Sequence, residues 1–228
     1  MPSKTEWIWL DEATRGGWNQ WVEFRRIIAG GSAGRLILRI TADTRYNLWL
    51  NGAWVGYGPN RSFPDCAYYD EYDVTALWKE GENEVRALVH ATGIATFQNL
   101  ESSAGLWAEV EADGELLART DASWECRRDT RFGTRRFRIA CQQGWQELLR
   151  PAEEGSWREA AVVQDGRQPE PAPIRLAVGR VVEPVAVIDA AAVKPPCAVL
   201  SLALREMLLP GYSAAAPKQI WGAVGLMF

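Results

Sequence analysis

The chain has 228 residues, 47% of them hydrophobic and 24% charged, with a net charge of −4 at neutral pH. That is length enough for one well-buried domain and part of another, with an ordinary globular composition. The acidic balance argues against a general nucleic-acid binder, and no apolar run approaches the length of a membrane span.

The opening MPSKTEWIWLDEATRGG has no apolar core of the kind a secretory signal carries, so the chain is expected to be cytoplasmic. Period-two patterning begins at once. Residues 21–28 read as a strand, and 35–42 (RLILRITA) place Leu36, Leu38, Ile40 and Ala42 on one face and Ile37, Arg39 and Thr41 on the other. Residues 46–50 and 53–57 flank Asn51-Gly52, a pair that takes the positive φ angles of a type I′ turn and so predicts a hairpin. Gly56, Gly58 and Pro59 end that hairpin and open a loop. Residues 84–90 form a strand with Val85, Ala87 and Val89 inward, and 106–112 pair with 115–120 across Asp113-Gly114. Residues 124–127 and 136–141 are further strands, while 74–79 and 145–150 look briefly helical. Short strands with regular turn signals predict an all-β fold, an antiparallel β-sandwich of jelly-roll type, over residues 1–150.

After Pro151 the chain turns rich in Pro, Ala and Val, with Pro169, Pro171 and Pro173 alternating, which predicts an extended C-terminal arm over 151–196 closing onto the sandwich. Residues 197–228 are apolar and end in IWGAVGLMF, as expected for the start of a missing domain.

Chemistry-bearing motifs are scarce. His90 is the single histidine, and after the alternating RALV it reads as a core or strand-end residue rather than a base. Cys66, Cys126, Cys141 and Cys197 form no CxxC pair and read as buried free thiols. The arginines from Arg127 to Arg138 alternate with Phe132, Phe137 and Ile139, as on the solvated face of a strand. Asp65, Asp70, Glu71 and Asp73 cluster after the hairpin; loop solvation and turn capping suit them better than a glycosidase pair. They are also oxygen-rich enough to raise calcium as a weak alternative, without EF-hand spacing. Polar recognition fits the segment best. Asn60, Arg61 and Asp70 offer hydrogen bonds to sugar hydroxyls, and Trp54, Tyr57 or Tyr69 a flat face for the apolar side of a pyranose. Tryptophan is abundant, at 12 residues, and most of it is expected to fill the core.

These residues resemble a known family. Trp7-Ile8-Trp9, Phe24-Arg25, the run from Ala42-Asp43 to Asn51-Gly52 (ADxRYxLxxNG), VGYGPNRSFP from Val55 to Pro64, YDEYDVT from Tyr69 to Thr75, Gly81 to Asn83 and His90 to Gly93 are similar, in order and spacing, to the N-terminal β-sandwich of bacterial α-L-rhamnosidases of glycoside hydrolase family 78. The similarity spans roughly residues 5–185. It implies a galactose-binding-like jelly roll that accompanies an (α/α)6-barrel catalytic domain. In that family the acid and base carboxylates lie in the barrel, so no catalytic residue is carried over to this chain. The implied partners are rhamnose-containing glycans or glycosides and the barrel itself, with no nucleic acid and no membrane. Some related modules bind rhamnose with calcium. The alternative is a purely structural module packing on the barrel.

Overall fold

The computed structural model describes residues 4–134, 138, 142, 144–174, 179, 181–182 and 184–186. Its strands are β1 (Ile8–Trp9), β2 (Gln20–Gly30), β3 (Leu36–Asp43), β4 (Arg45–Leu50), β5 (Ala53–Gly58), β6 (Tyr68–Asp73), β7 (Gly81–Ala91), β8 (Gly105–Ala112), β9 (Glu115–Arg119), β10 (Glu125–Arg128), β11 (Arg158–Glu159), β12 (Ala161–Val162) and β13 (Glu170–Pro171). Among the described residues they form two sheets. One has the order β12-β1-β8-β3-β6-β13, with β9 on β8, and the other the order β11-β10-β2-β7-β4-β5. Every pairing is antiparallel except β13 on β6. The all-β sandwich expected from the period-two pattern is the observed fold.

The pleat assigns the core. Val22 and Phe24 of β2, Val85, Ala87 and Val89 of β7, and Tyr46, Leu48 and Leu50 of β4 face Leu36, Leu38 and Ile40 of β3 and Leu106, Ala108 and Val110 of β8. Trp9 lies tilted against Phe24, ring centres 5.7 Å apart, and both are fully buried. Truncating Phe24 to alanine there would cost about 3–5 kcal/mol.

Asn51 and Gly52 take φ of 53° and 79°, as the turn requires. The Asn51 amide also donates to the carbonyl of Leu77 and to Oδ1 of the fully buried Asn83, each at 2.8 Å, and its own Oδ1 accepts from the Glu84 amide at 3.0 Å. The turn is thereby bolted to the start of β7. Gly56 and Gly58 do not merely end β5. They are inward positions, where a Cβ would collide with the Tyr72 ring and with Tyr46 and Asp70 respectively. The space is taken by a polar bridge between the sheets. The Tyr46 hydroxyl, from one sheet, donates to Asp70 Oδ2 at 2.6 Å and lies 3.0 Å from the Tyr72 hydroxyl on the other. Burial pushes the Tyr72 phenol up to about 12 and raises the Asp70 carboxyl despite its hydrogen bonds from Tyr46 and Asn60.

The structure differs from the sequence expectations in two places. Residues 75–77 form one 3-10 turn, whereas 145 and 149 are extended and bridge to Arg138 and Phe132, so 145–150 is not a helix. Arg127 is not solvated. It lies buried against Glu23, 2.6 Å away, with a second bond to Glu154, because Phe132 and residues 149–154 lie over this face of the sheet. Beyond residue 150, the two-residue strands β11 and β12 extend both sheets and β13 pairs with β6. Cys126 is buried and Cys66 half-buried, both as free thiols, while Cys141, Cys197, most of 136–141 and all of 197–228 lie outside the described residues. No helix among the described residues is long and apolar enough to cross a membrane.

His90 is buried, with Nε2 2.9 Å from Asn19 Oδ1 and its ring stacked on Trp21 at 3.9 Å. Desolvation, with a contribution from Arg45, lowers its pKa to about 3. A depressed histidine holds stability at neutral pH and loses it as pH falls through the unfolded value near 6.5 toward the folded one. Urea unfolding should therefore show the native chain losing ground to His90→Gln as pH drops from 7 to 4; parallel curves would refute the assignment. Asp70 carries the opposite sign. Its raised pKa means that stability present at low pH is lost as pH rises through the folded value, so Asp70→Asn should gain on the native chain above about pH 4, measured in the same way.

Candidate functional site

One end of the sandwich carries a pocket of about 300 Å³. Its walls are the β3–β4 junction at Asp43, Thr44 and Arg45, the loop leaving β5 through Pro59, Asn60 and Arg61, and the 98–102 segment. The strand ends are fixed by the sheets, so rigid elements aim the loops. Arg45 donates to Gln98 across the pocket, and Ser102 donates to Asp43. Asn99 holds its own loop, donating to Thr92 Oγ1 at 3.2 Å and to the Ile94 carbonyl at 2.9 Å. Arg61 is exposed and has no partner among the described residues, which leaves five N–H donors free. Phe63 and Leu100, both exposed, supply apolar wall.

Behind Asp43 lies a compact charge network. Arg167 Nη1 reaches Asp43 at 3.0 Å, Arg167 Nη2 reaches Asp165 at 2.6 Å, and Arg15 closes on the same Asp165 at 2.5 Å. The Arg167 guanidinium sits 4.3 Å from the centre of the Trp7 ring. Four buried or nearly buried charges of alternating sign thus pin residues 165–167 to the back of the pocket.

Of the residues expected to bind sugar, the fold brings Tyr57, Asn60 and Arg61 to this pocket. Trp54, Tyr69 and Asp70 line a neighbouring groove of about 570 Å³ between β5 and β6, which Tyr57 shares. Pro171, Ala172 and Gly179 wall that groove on the C-terminal side, and Gly179 lies so close to the Trp54 ring that a Cβ would clash. Trp54 stacks toward Tyr57 at 6.3 Å, and Tyr69 lies on Trp107 at 5.6 Å. Asp70 is buried beneath the groove with its oxygens held by Tyr46 and Asn60. Asn60 commits both amide hydrogens, one to Asp70 and one to the Ile174 carbonyl at 2.6 Å, so its own carbonyl oxygen is what it offers a ligand.

The four carboxylates considered for calcium do not converge. Asp70 faces inward, whereas Glu71 and Asp73 point to the opposite face, where Glu71 pairs with Arg39 at 3.0 Å and Asp73 caps Thr75. No cluster of three or more His, Cys, Asp or Glu side chains suited to a metal occurs among the described residues. Arg45, Gln98, Asn99 and Ser102 were not singled out in the sequence. The signal for Gln98, Asn99 and Ser102 was the polar run TGIATFQNLESS directly after a strand end, a loop composition of the kind that carries function, and Arg45 is the arginine of the ADxRYxLxxNG run.

No protein-family model and no curated protein matches the chain. Solved structures do. The family 78 rhamnosidase of Bacillus sp. GL1 superposes with a TM-score of 0.64 and 38% identity over 70% of this chain and 18% of the enzyme. An α-L-rhamnosidase of Aspergillus terreus gives a TM-score of 0.48 and 21% identity over 66% of this chain and 22% of that one. A Pleurotus ostreatus lectin in complex with GalNAc gives 0.42 and 22% over 69% of this chain and 41% of the lectin. The chain spans less than a fifth of the length of the Bacillus enzyme it matches. With more than a third of its aligned residues identical to that enzyme, the chain carries the β-sandwich domain of the α-L-rhamnosidases of glycoside hydrolase family 78.

Proposed function

We propose that this sandwich is a non-catalytic, carbohydrate-associated domain of an α-L-rhamnosidase-like glycoside hydrolase and that its loop-end pocket binds rhamnose-containing glycans. The observation that carries the reading is the meeting of Tyr57, Asn60 and the unpartnered Arg61 with Arg45 in one pocket of about 300 Å³. A sugar needs both an apolar face and directional donors, and this pocket offers an exposed phenol ring beside two guanidinium forks. Asp70 serves the site indirectly, holding Asn60 in place from below. The catalytic carboxylates then belong to another domain of the parent enzyme.

A second reading, docking of this end against the catalytic barrel, is favoured by Phe63 and Phe97, which are 64% and 67% exposed beside the same loops. Calorimetry with L-rhamnose separates the two. Saturable heat is expected from the native chain, and Arg61→Ala and Tyr57→Ala should each weaken binding about tenfold, the equivalent of one well-placed contact. Heat that neither variant changes would sink the loop-end site and leave docking as the surviving reading.

A further inference from the structure

The outer face of the second sheet holds a cavity unrelated to the loop-end pocket. Register places Glu23, Leu88 and Asn47 in one row across β2, β7 and β4, and Arg25, Arg86 and Trp49 in the next. Residues 129–132 and 149–157 roof part of this face. Phe132 stacks on Trp21 at 3.9 Å and bridges to Leu149, and Trp157 lies between the guanidiniums of Arg25 and Arg127, each 4.3 Å from its ring. Between roof and sheet remains a space of about 400 Å³.

Its lining is of two kinds. Trp49 and Leu88 on the sheet, with Phe132 and Leu149 above, form the apolar part. Arg86, Glu84, Arg131 and Glu154 form the polar part. Arg86 Nη2 contacts Glu84 Oε1 at 2.9 Å, while its Nε is buried without a hydrogen-bond partner. Arg131 is clamped in a bidentate pair on Asp129, at 2.9 Å and 2.6 Å, and still lies 3.7 Å from Glu23. Arg127 offsets Glu23 and Glu154. Each carboxylate of the cavity has a guanidinium beside it, with Glu23 and Glu154 sharing Arg127, so the charges nearly cancel and the site is built for no ion of large charge.

We propose that this cavity is a second ligand site, for a neutral sugar that lays its apolar face on Trp49 and hydrogen-bonds through adjacent hydroxyls to Arg86 and Glu84. A polyol is the ligand class that uses donors and acceptors side by side without net charge, and an indole at the floor supplies the stacking surface. The proposal shares with the proposed function only the class of ligand and rests on different residues. The domain would then hold a glycan at two places, on its end and on its face.

The indole N–H resonance of Trp49 in the 15N-labelled full chain, assigned by its loss in Trp49→Phe, tests this. The probes are methyl α-L-rhamnoside, the neutral disaccharide rutinose, digalacturonate and a glucosamine dimer. The neutral sugars should shift the Trp49 signal saturably and the charged dimers should not. Arg86→Leu should weaken that shift about tenfold, and Arg61→Ala should leave it unchanged, with dispersed Trp9 and Trp124 signals reporting that each variant is folded. A Trp49 signal unmoved by all four probes, equal response to the charged dimers, or a shift that survives Arg86→Leu would each overturn the proposal. Weakened rhamnose heat in Arg61→Ala, with a residual part that tracks an intact Trp49 response, separates the two sites.

Discussion

The hydrogen bond from Tyr46 to Asp70 is the contact on which the rest of this molecule turns. It joins the two sheets with a carboxyl group buried beside the apolar core. A buried carboxylate is tolerated only when its oxygens are satisfied. Tyr46 and Asn60 meet that requirement, and the consequences spread outward. Gly56 and Gly58 must lack side chains to make room for the tyrosines and the carboxylate. Asn60 must stay within reach, so the loop leaving β5 is held against the sheet edge. Through its other amide hydrogen Asn60 also ties the chain at Ile174 to that loop. A core bond thus shapes a surface pocket.

A second set of constraints works from the opposite side of the same pocket. Asp43 leaves β3 and accepts from Arg167, which itself shares Asp165 with Arg15. Removing one charge from such a set leaves its partner buried and unpaired, the costly outcome for an interior ion pair. The network and the Tyr46–Asp70 bridge together hold both walls of the loop-end pocket on rigid supports, with residues from both ends of the described chain. The two outer faces of the sandwich are treated differently. One is crossed by Arg39 paired with Glu71 and Glu111, and the other is partly roofed by residues 129–132 and 149–157, which turn an open sheet into a cavity.

The fold was readable in the order of residues because strand alternation and turn chemistry are local. Leu36, Leu38 and Ile40 share a face by the two-residue period alone, and Asn51-Gly52 adopts its positive φ angles through the preferences of those two residues. The inward and outward rows of β7 followed in the same way. Local pattern also misled. Residues 145–150 have a helix-like composition and are extended, because their bridges to 132 and 138 come from distant chain. The alternating arginines at 127–138 look solvated until the returning segment buries Arg127 against Glu23.

The candidate site divides along the same line. Tyr57, Asn60 and Arg61 sit within five residues of one another, so the sequence alone places them on one loop, and the family motifs they belong to give the domain its kinship. That Arg45 and the 98–102 loop complete their pocket depends on antiparallel pairing between strands far apart in the chain. Nor does any local rule foretell that Asp70 would be spent inside the sandwich while Glu71 beside it faces solvent; the pleat makes them point apart, and the register with β3 decides which one is buried. The sequence by itself determined strands, turns and kinship, because these rest on neighbours. Which side chains meet, and which are left free to meet a ligand, was decided only by the tertiary structure, because that depends on long-range pairing and on what covers each face.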